Sequence, residues 1–241
     1  MRLPHIGVLA VAALVPFTLA GCTPADREDL ADAFFEAAAD ELFAGDPLPS
    51  PVSDEPVDAS AALTTLEDIP VKGRAPRTGY EREEKFGRAW LDVDGNGCRT
   101  RDDVLARDLL DPVLDDDGCK VLSGTLEDPY TGEVIAFERG EDTSALVQID
   151  HVVALSNAWQ TGAQQLSQGE REALANDPMN LIATDGPTNG AKGDGDAATW
   201  LPPHTPFRCA YVSAQIDVKA AYDLWVTQAE KDAMERVLSR C

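Results

Sequence analysis

Asp150 and His151 stand side by side in QIDHVVALSNAW, residues 148–159, at the end of an apolar run and ahead of a helix-like segment, in a chain with three histidines. A carboxylate beside an imidazole is either a polar pair packed into a core or a metal ligand next to a general base. If it is the second, the rest of the site must lie downstream. NDPMNLIATDGPTNGAKGDGDAATWLPP, residues 176–203, holds the candidates: Asn180 and Asn189 around a short apolar strand and a glycine turn, then Lys192-Gly193-Asp194. An ordinary helical core does not need Asn-Gly and Lys-Gly-Asp in quick succession. A hairpin whose second half turns into a helix does.

The elements that must position these residues are legible from periodicity. LVQIDHVVAL reads as a strand, LSNAWQTGAQQL and SQGEREALAND as helical pieces, and MNLIAT as a second strand. Upstream, YEREEKFGRAW is helix-compatible and LDVDGNGCRT is a polar turn. Asp102 or Asp103 then caps a helix running through Leu110, with Val104, Leu105, Leu109 and Leu110 as its apolar face. VLSGTLEDPYTGEVIAFER reads as a hairpin that turns at Asp128 to Gly132. The C-terminal part reads as two helices, about residues 211–225 and 228–239, with Thr227 and Glu230 spaced as a capping box.

The first 22 residues, MRLPHIGVLAVAALVPFTLAGC, carry a basic Arg2, an apolar core of about 15 residues and small residues before Cys22. They resemble a bacterial lipoprotein signal, which implies lipid attachment at Cys22 and an extracytoplasmic chain anchored to the cell membrane. Residues 23–62 read as an acidic, Pro-rich tether, and a folded domain is expected over residues 63–241. Four cysteines then remain, Cys98, Cys119, Cys209 and Cys241, and an even number outside the cytoplasm points to two disulfides. Three pairings are possible. Sequence order favours Cys98 with Cys119 and Cys209 with Cys241, the latter pair also lying at the outer ends of the helical hairpin.

A net charge of −23 argues against a polyanionic partner. Its distribution softens the objection, because residues 26–68 contribute −12 while residues 72–107 hold nine of the 20 Lys and Arg against seven acids. From Asp150 to Trp200 there are seven acids and two basic residues, so nucleic-acid binding is expected to be weak, salt-sensitive and without sequence choice.

Asp150-His151 with Val152, Val153 and Leu155, then Asn180-Leu181, then Asn189 with Lys192-Gly193-Asp194, resembles the ββα-metal motif of HNH endonucleases. The likeness is nearest to exported proteins related to the C-terminal domain of GmrSD-type restriction endonucleases. It extends to FGRAWLDVDGNGCRTRDDVLARDL and covers about residues 80–205. The resemblance implies His151 as general base, Asp150 and Asn189 as metal ligands, Asn180 as the residue that ties the loop and orients the histidine, and Lys192 near the scissile phosphate. The motif often has proline three residues after the histidine, where this chain has Ala154; its third letter is Asn189. The implied chemistry is phosphodiester hydrolysis, in which imidazole takes a proton from water and a hard divalent ion, Mg2+ or alternatively Mn2+, offsets charge on the phosphate and departing oxygen.

Asp92, Asp94, Asn96 and Gly97, with Asp103, occupy calcium-loop positions, but the favoured reading is a turn whose acids cap the following helix and pair with Arg99 or Arg101. His204 reads as a surface residue, and Trp90, Trp159, Trp200 and Trp225 as core anchors. The whole is expected to be an α+β protein with a ββα-metal core, flanking helices, a C-terminal helical hairpin and two disulfides, monomeric, acting on DNA in preference to RNA. The rival is a non-catalytic lipid-anchored surface binding protein that keeps the fold, with calcium as a stabiliser.

Overall fold

The computed structural model describes residues 48–52 and 56–241. The signal-like segment, Cys22 and the acidic residues up to 47 lie outside the described residues. Asp58 caps helix α1, Ala59–Asp68, accepting from the amides of Ser60 and Ala61 at 3.0 Å. The packed body, expected from Leu63, thus starts earlier, and Leu48 and Val52 already pack against its cores. Helix α2, Arg82–Phe86, is shorter than the stretch that could have formed it. It stops at Gly87, whose φ of +69° suits glycine and where a Cβ would lie 2.7 Å from the Glu172 side chain.

Helix α3, Thr100–Asp108, starts before the expected cap. Arg99 occupies the cap position without a side-chain bond, and Asp102 and Asp103 fall in the first turn, where carboxylates suit the helix dipole. The helix does not reach Leu110. Instead Leu110–Leu114 forms strand β1, the edge of an antiparallel sheet in the order β1-β2-β3, with β2 at Val121–Glu127 and β3 at Val134–Glu138. Pro112 is tolerated because an edge strand can lose one amide. Cys98 and Cys119 form a disulfide, 5.2 Å between Cα atoms, that ties the start of α3 to the β1–β2 turn.

A separate antiparallel pair, β4 (Val147–His151) and β5 (Leu181–Asp185), sets Asp150 opposite Ile182 and His151 opposite Leu181. Val147 and Ile149 pack with Leu181 and Ala183 into a core shared with α3, while the alternate residues Gln148 and Asp150 bond to the helix that follows β5. Between the strands run α4, Leu155–Gln160, and α5, Gln168–Asn176. After β5 the chain enters α6, Gly186–Lys192, capped by Asp185, which accepts from Thr188 N at 2.7 Å. Gly186 is required there, since a Cβ would meet the Ala145 carbonyl at 2.2 Å.

The C-terminal hairpin is α7, Arg208–Ala221, and α8, Gln228–Leu238, the latter opened by the Thr227/Glu230 capping box. Both helices pack on α1. The buried Lys219 ammonium lies 2.9 Å from Glu230, and Cys209 bridges Cys241 with Cα atoms 6.0 Å apart. That bridge closes a loop across a sequence separation of 32, for which chain entropy gives about 3–4 kcal/mol. Replacing both cysteines by serine is expected to lower the unfolding free energy by that amount in a denaturant titration; a loss under about 1 kcal/mol would mean that helix packing alone holds the hairpin.

Candidate active site

A cleft of about 640 Å3 opens over the end of β4, lined by Gln148, Asp150, His151 and Asn189 on one side and by Arg77, Tyr80, Arg82, Trp90 and Arg101 on the other. His151 is 7% exposed and Asp150 6%. The ββα unit therefore delivers the strand-end pair and the helix asparagine to one opening.

His151 Nε2 lies 2.8 Å from the Ala175 carbonyl. A carbonyl only accepts, so Nε2 carries the proton and Nδ1 is left with its lone pair. Nδ1 makes no hydrogen bond among the described residues, and it is not among the sealed, partnerless atoms, so it opens to the cleft. Burial pulls the pKa of the ring from 6.5 to about 3, with the charges of Arg82 and Lys192 adding to the fall and the Ala175 carbonyl opposing it. The imidazole is neutral across the physiological range.

Asn180 holds the backbone that follows. Its Oδ1 accepts from Val153 N at 2.8 Å, its Nδ2 donates to Val153 O and Leu174 O, and its carbonyl accepts from Val152 N at 2.8 Å. One buried amide thus joins the turn after His151 to the end of α5, where Ala175 orients the ring. Ala154, which stands where the motif often has proline, has φ −54°, within the window that proline imposes. The turn takes that shape without the ring.

Asp150 is enclosed. Tyr130 Oη donates to its Oδ2 at 2.6 Å, and the Lys192 ammonium lies 2.9 Å from Oδ2 and 3.1 Å from Oδ1. Tyr130 reaches it from the β2–β3 turn, which Asp128 pins to β5 by accepting from Thr184 Oγ1 at 2.7 Å and Asp185 N at 3.0 Å. Asn189 Nδ2 donates to Gln148 Oε1 at 2.9 Å, and its side-chain oxygen Oδ1 has no hydrogen-bond partner among the described residues.

The model of one protein family, the C-terminal domain of GmrSD restriction endonucleases, matches residues 99–237. A protein of Arthroderma benhamiae, described as an uncharacterized secreted protein, is 39% identical over 197 residues, 81% of this chain and 92% of its own length. The chain belongs to the GmrSD C-terminal domain family. No solved structure matches it. The match begins at Arg99 and so spans α3, both sheets and the C-terminal hairpin, and its description is that of a nuclease-related domain.

Within this family member, several residues sit differently from the expectation. Lys192 is not beside the open cleft: its ammonium is fully buried against Asp150 and donates to the His151 carbonyl at 2.8 Å. The one-turn step from Asn189 brings it beneath the strand rather than onto the surface. Trp90 packs against the core around Val104 and Leu105, but only in part. It is half-buried, lines the cleft at φ +65°, and lies parallel to the His151 ring with centroids 6.5 Å apart. Trp159 and Trp225 are buried as expected. His204 is half-buried beside the Pro129 carbonyl, away from this cleft. The calcium-loop candidates turn on their own loop: Asp92 accepts from Gly95 N and Gly97 N, Asp94 from Asn96 N, and Asp103 from Asn96 Nδ2. Arg99 pairs with Asp102 instead of with those loop acids. Tyr130, Gln148 and the cleft arginines escaped sequence reasoning, although the basic run of residues 72–107 was a signal for the last.

Among the described residues no three His, Cys, Asp or Glu side chains converge as a ligand set. A hard cation would instead find the Asn189 side-chain oxygen and the one lone pair that Asp150 retains after three contacts. The donors fit in kind, and the Lys192 ammonium competes for the carboxylate. Lys192→Met is therefore expected to leave a buried carboxylate short of its cation, costing about 3–5 kcal/mol without metal. Mg2+ or Mn2+ should then raise its melting temperature more than that of the wild type; an equal shift would mean that no cation reaches Asp150.

The neutral histidine also predicts acid sensitivity. Unfolded, the ring takes a proton below about 6.5, whereas folded it stays neutral to about 3. Between those values the unfolded chain binds more protons, so stability is full above 6.5 and falls as pH falls, by up to about 1.4 kcal/mol per unit. In chelator, denaturant titrations at pH 7 and pH 5 should show the wild type losing about 2 kcal/mol more than His151→Asn; parallel losses would place the ring in solvent.

Proposed function

We propose that the chain is an exported, HNH-type endonuclease that hydrolyses nucleic-acid phosphodiesters with the help of a divalent metal, Mg2+ or Mn2+, and without sequence preference. The observation that carries this reading is a neutral, carbonyl-oriented His151 whose free Nδ1 opens beside Asp150 and Asn189 into an arginine-lined cleft. The family match supports the nuclease class. The secreted relative, together with the leader-like N-terminus, supports an extracytoplasmic location with lipid attachment at Cys22.

In this reading Asp150 and Asn189 hold the metal, which supplies charge stabilisation at the phosphate when bound. The water oxygen bonds to phosphorus as His151 Nδ1 takes its proton, the P–O3′ bond breaks, and the departing O3′ takes a proton from solvent water, leaving a 5′-phosphate and a 3′-hydroxyl. The Ala175 carbonyl keeps Nε2–H in place, so the ring acts in one tautomer and one orientation. Asn180 makes that orientation rigid. A phosphate seated against Arg82 pairs one of the charges that depress the pKa of His151, so substrate binding strengthens the base.

The test is nicking of plasmid DNA, with RNA in parallel, by the chain lacking residues 1–22, in Mg2+ or Mn2+ and in chelator. Metal-dependent cutting that falls at least about 100-fold in His151→Ala is expected for a lost general base. A folded, metal-supplied protein that cuts neither DNA nor RNA would move the assignment to a non-catalytic surface binding protein with the same fold.

A further inference from the structure

The cleft wall opposite His151 carries Arg77 and Arg82 from the segment around α2, and Arg101 from the first turn of α3. Two of these cations have no partner among the described residues. Arg77 lies 3.7 Å from Asp194, both side chains well exposed, whereas neither Arg82 nor Arg101 makes an ion pair or hydrogen bond among the described residues.

Arg101 is the more informative of the two. It is half-buried, so its guanidinium has lost part of its water. The nearest carboxylate, Asp102, is already used on both oxygens: Oδ1 by Arg139 and Oδ2 by Arg99 at 2.7 Å. Asp103 Oδ1 accepts from Asn96. Arg101 therefore lies beside Arg99 and Arg139 and makes no ion pair of its own among the described residues; burial and those two neighbours lower its pKa, with the shared Asp102 opposing the fall. It also stands in the first turn of a helix, where the backbone dipole disfavours a cation. Among the described residues no carboxylate pairs with it directly. The adjoining disulfide, Cys98–Cys119, and the Arg139–Asp102–Arg99 cluster hold the turn that presents it.

We propose that Arg101 is the anchor for a backbone phosphate of the nucleic-acid strand, clamping it opposite Asp150 and His151 with Arg82 beside it. The proposal rests on the nuclease reading for its substrate class, and it goes further by naming the group that binds the polyanion on a chain whose overall charge is repulsive. A guanidinium offers a planar fork of donors that matches two phosphate oxygens, and a strand phosphate supplies the negative charge that Asp102 does not.

The experiment uses the purified full chain in mild detergent with chelator, and a fluorescently labelled 16-nucleotide single-stranded DNA, followed by anisotropy across a salt series. Arg101→Gln is expected to bind about tenfold more weakly and to flatten the log-affinity against log-salt slope by about 0.7, the loss of one phosphate contact on a single strand. Its melting temperature should be unchanged or higher, because a like-charge contact with Arg99 and Arg139 has been relieved. Arg101→Lys should keep the slope and lose part of the affinity, and the exposed Arg88→Gln, outside the cleft, should bind as the wild type. Wild-type-like binding by Arg101→Gln, an affinity loss that appears only with a fall in melting temperature, or no strand binding by the wild type would each overturn the anchor. The two readings separate cleanly. Cleavage lost in His151→Ala but retained with unchanged binding in Arg101→Gln refutes the anchor alone, whereas Arg101-dependent binding without cleavage in any metal refutes the nuclease and keeps the anchor.

Discussion

A buried carboxylate sets the terms for the site. Asp150 sits 6% exposed on a strand end, where an unpaired charge would cost several kcal/mol, and the fold answers with Lys192 from α6 and Tyr130 from the β2–β3 turn. Those two contacts draw the helix after β5 and the tip of a different sheet onto the same point. Asp128 in turn locks that tip to β5. The sheets do not pair with each other, yet one charge couples them. Removing it would release the helix that carries Asn189 as well as the residue itself.

The electrostatics of the cleft follow from the same point. Asp150 is already neutralised from below by Lys192, so the wall facing it need not be acidic to complete a balance. Arg77, Arg82 and Arg101 line that wall. The chain as a whole carries −23, and at about 0.1 M salt a net charge acts on a polyanion only within a Debye length of about 10 Å. Local pairing rather than net charge decides where a phosphate can sit. Burial is the main cause that pulls the pKa of His151 to about 3, and the Arg82 charge adds to the fall, since a cation that suits a phosphate suits an imidazolium poorly until the phosphate arrives.

What was legible in the sequence was what local chemistry determines. The alternation in VQIDH, the MNLIAT strand, the Thr227/Glu230 box and the hairpin turned by Asp128 to Gly132 each carry their own signal, and each forms. The two cysteine pairs follow from chain order and helix geometry. Strand β1 was illegible because it is an exposed edge containing Pro112, whose pairing comes from β2 and not from its own composition. Helix α1 hid in an acidic stretch because only Ala62 and Leu66 of it are buried. Lys192 could be assigned to the site but not oriented, since spacing along a helix places a side chain on a face without saying whether a strand charge lies beneath it. Arg101 needed more still: its lack of a partner depends on how Arg99 and Arg139 divide Asp102.

Such a division also explains why a disulfide belongs at residue 98. The loop of residues 91–98 is held by hydrogen bonds that its own amides donate to its own acids, and most of it is exposed. By itself it gives α3 a soft start, because helix ends fray when few buried contacts fix them. Cross-linking Cys98 to Cys119 fastens that start to the sheet, while Asp102, 2% exposed, is clamped between two guanidinium groups. The residue between cap and clamp is Thr100, buried at 1%, which donates to the Leu91 carbonyl. With Thr100 and Asp102 both turned inward, the helical step leaves Arg101 directed elsewhere, toward the cleft it lines. The rigidity that the disulfide supplies is thus placed where a cation without an ion pair among the described residues must be held against its neighbours.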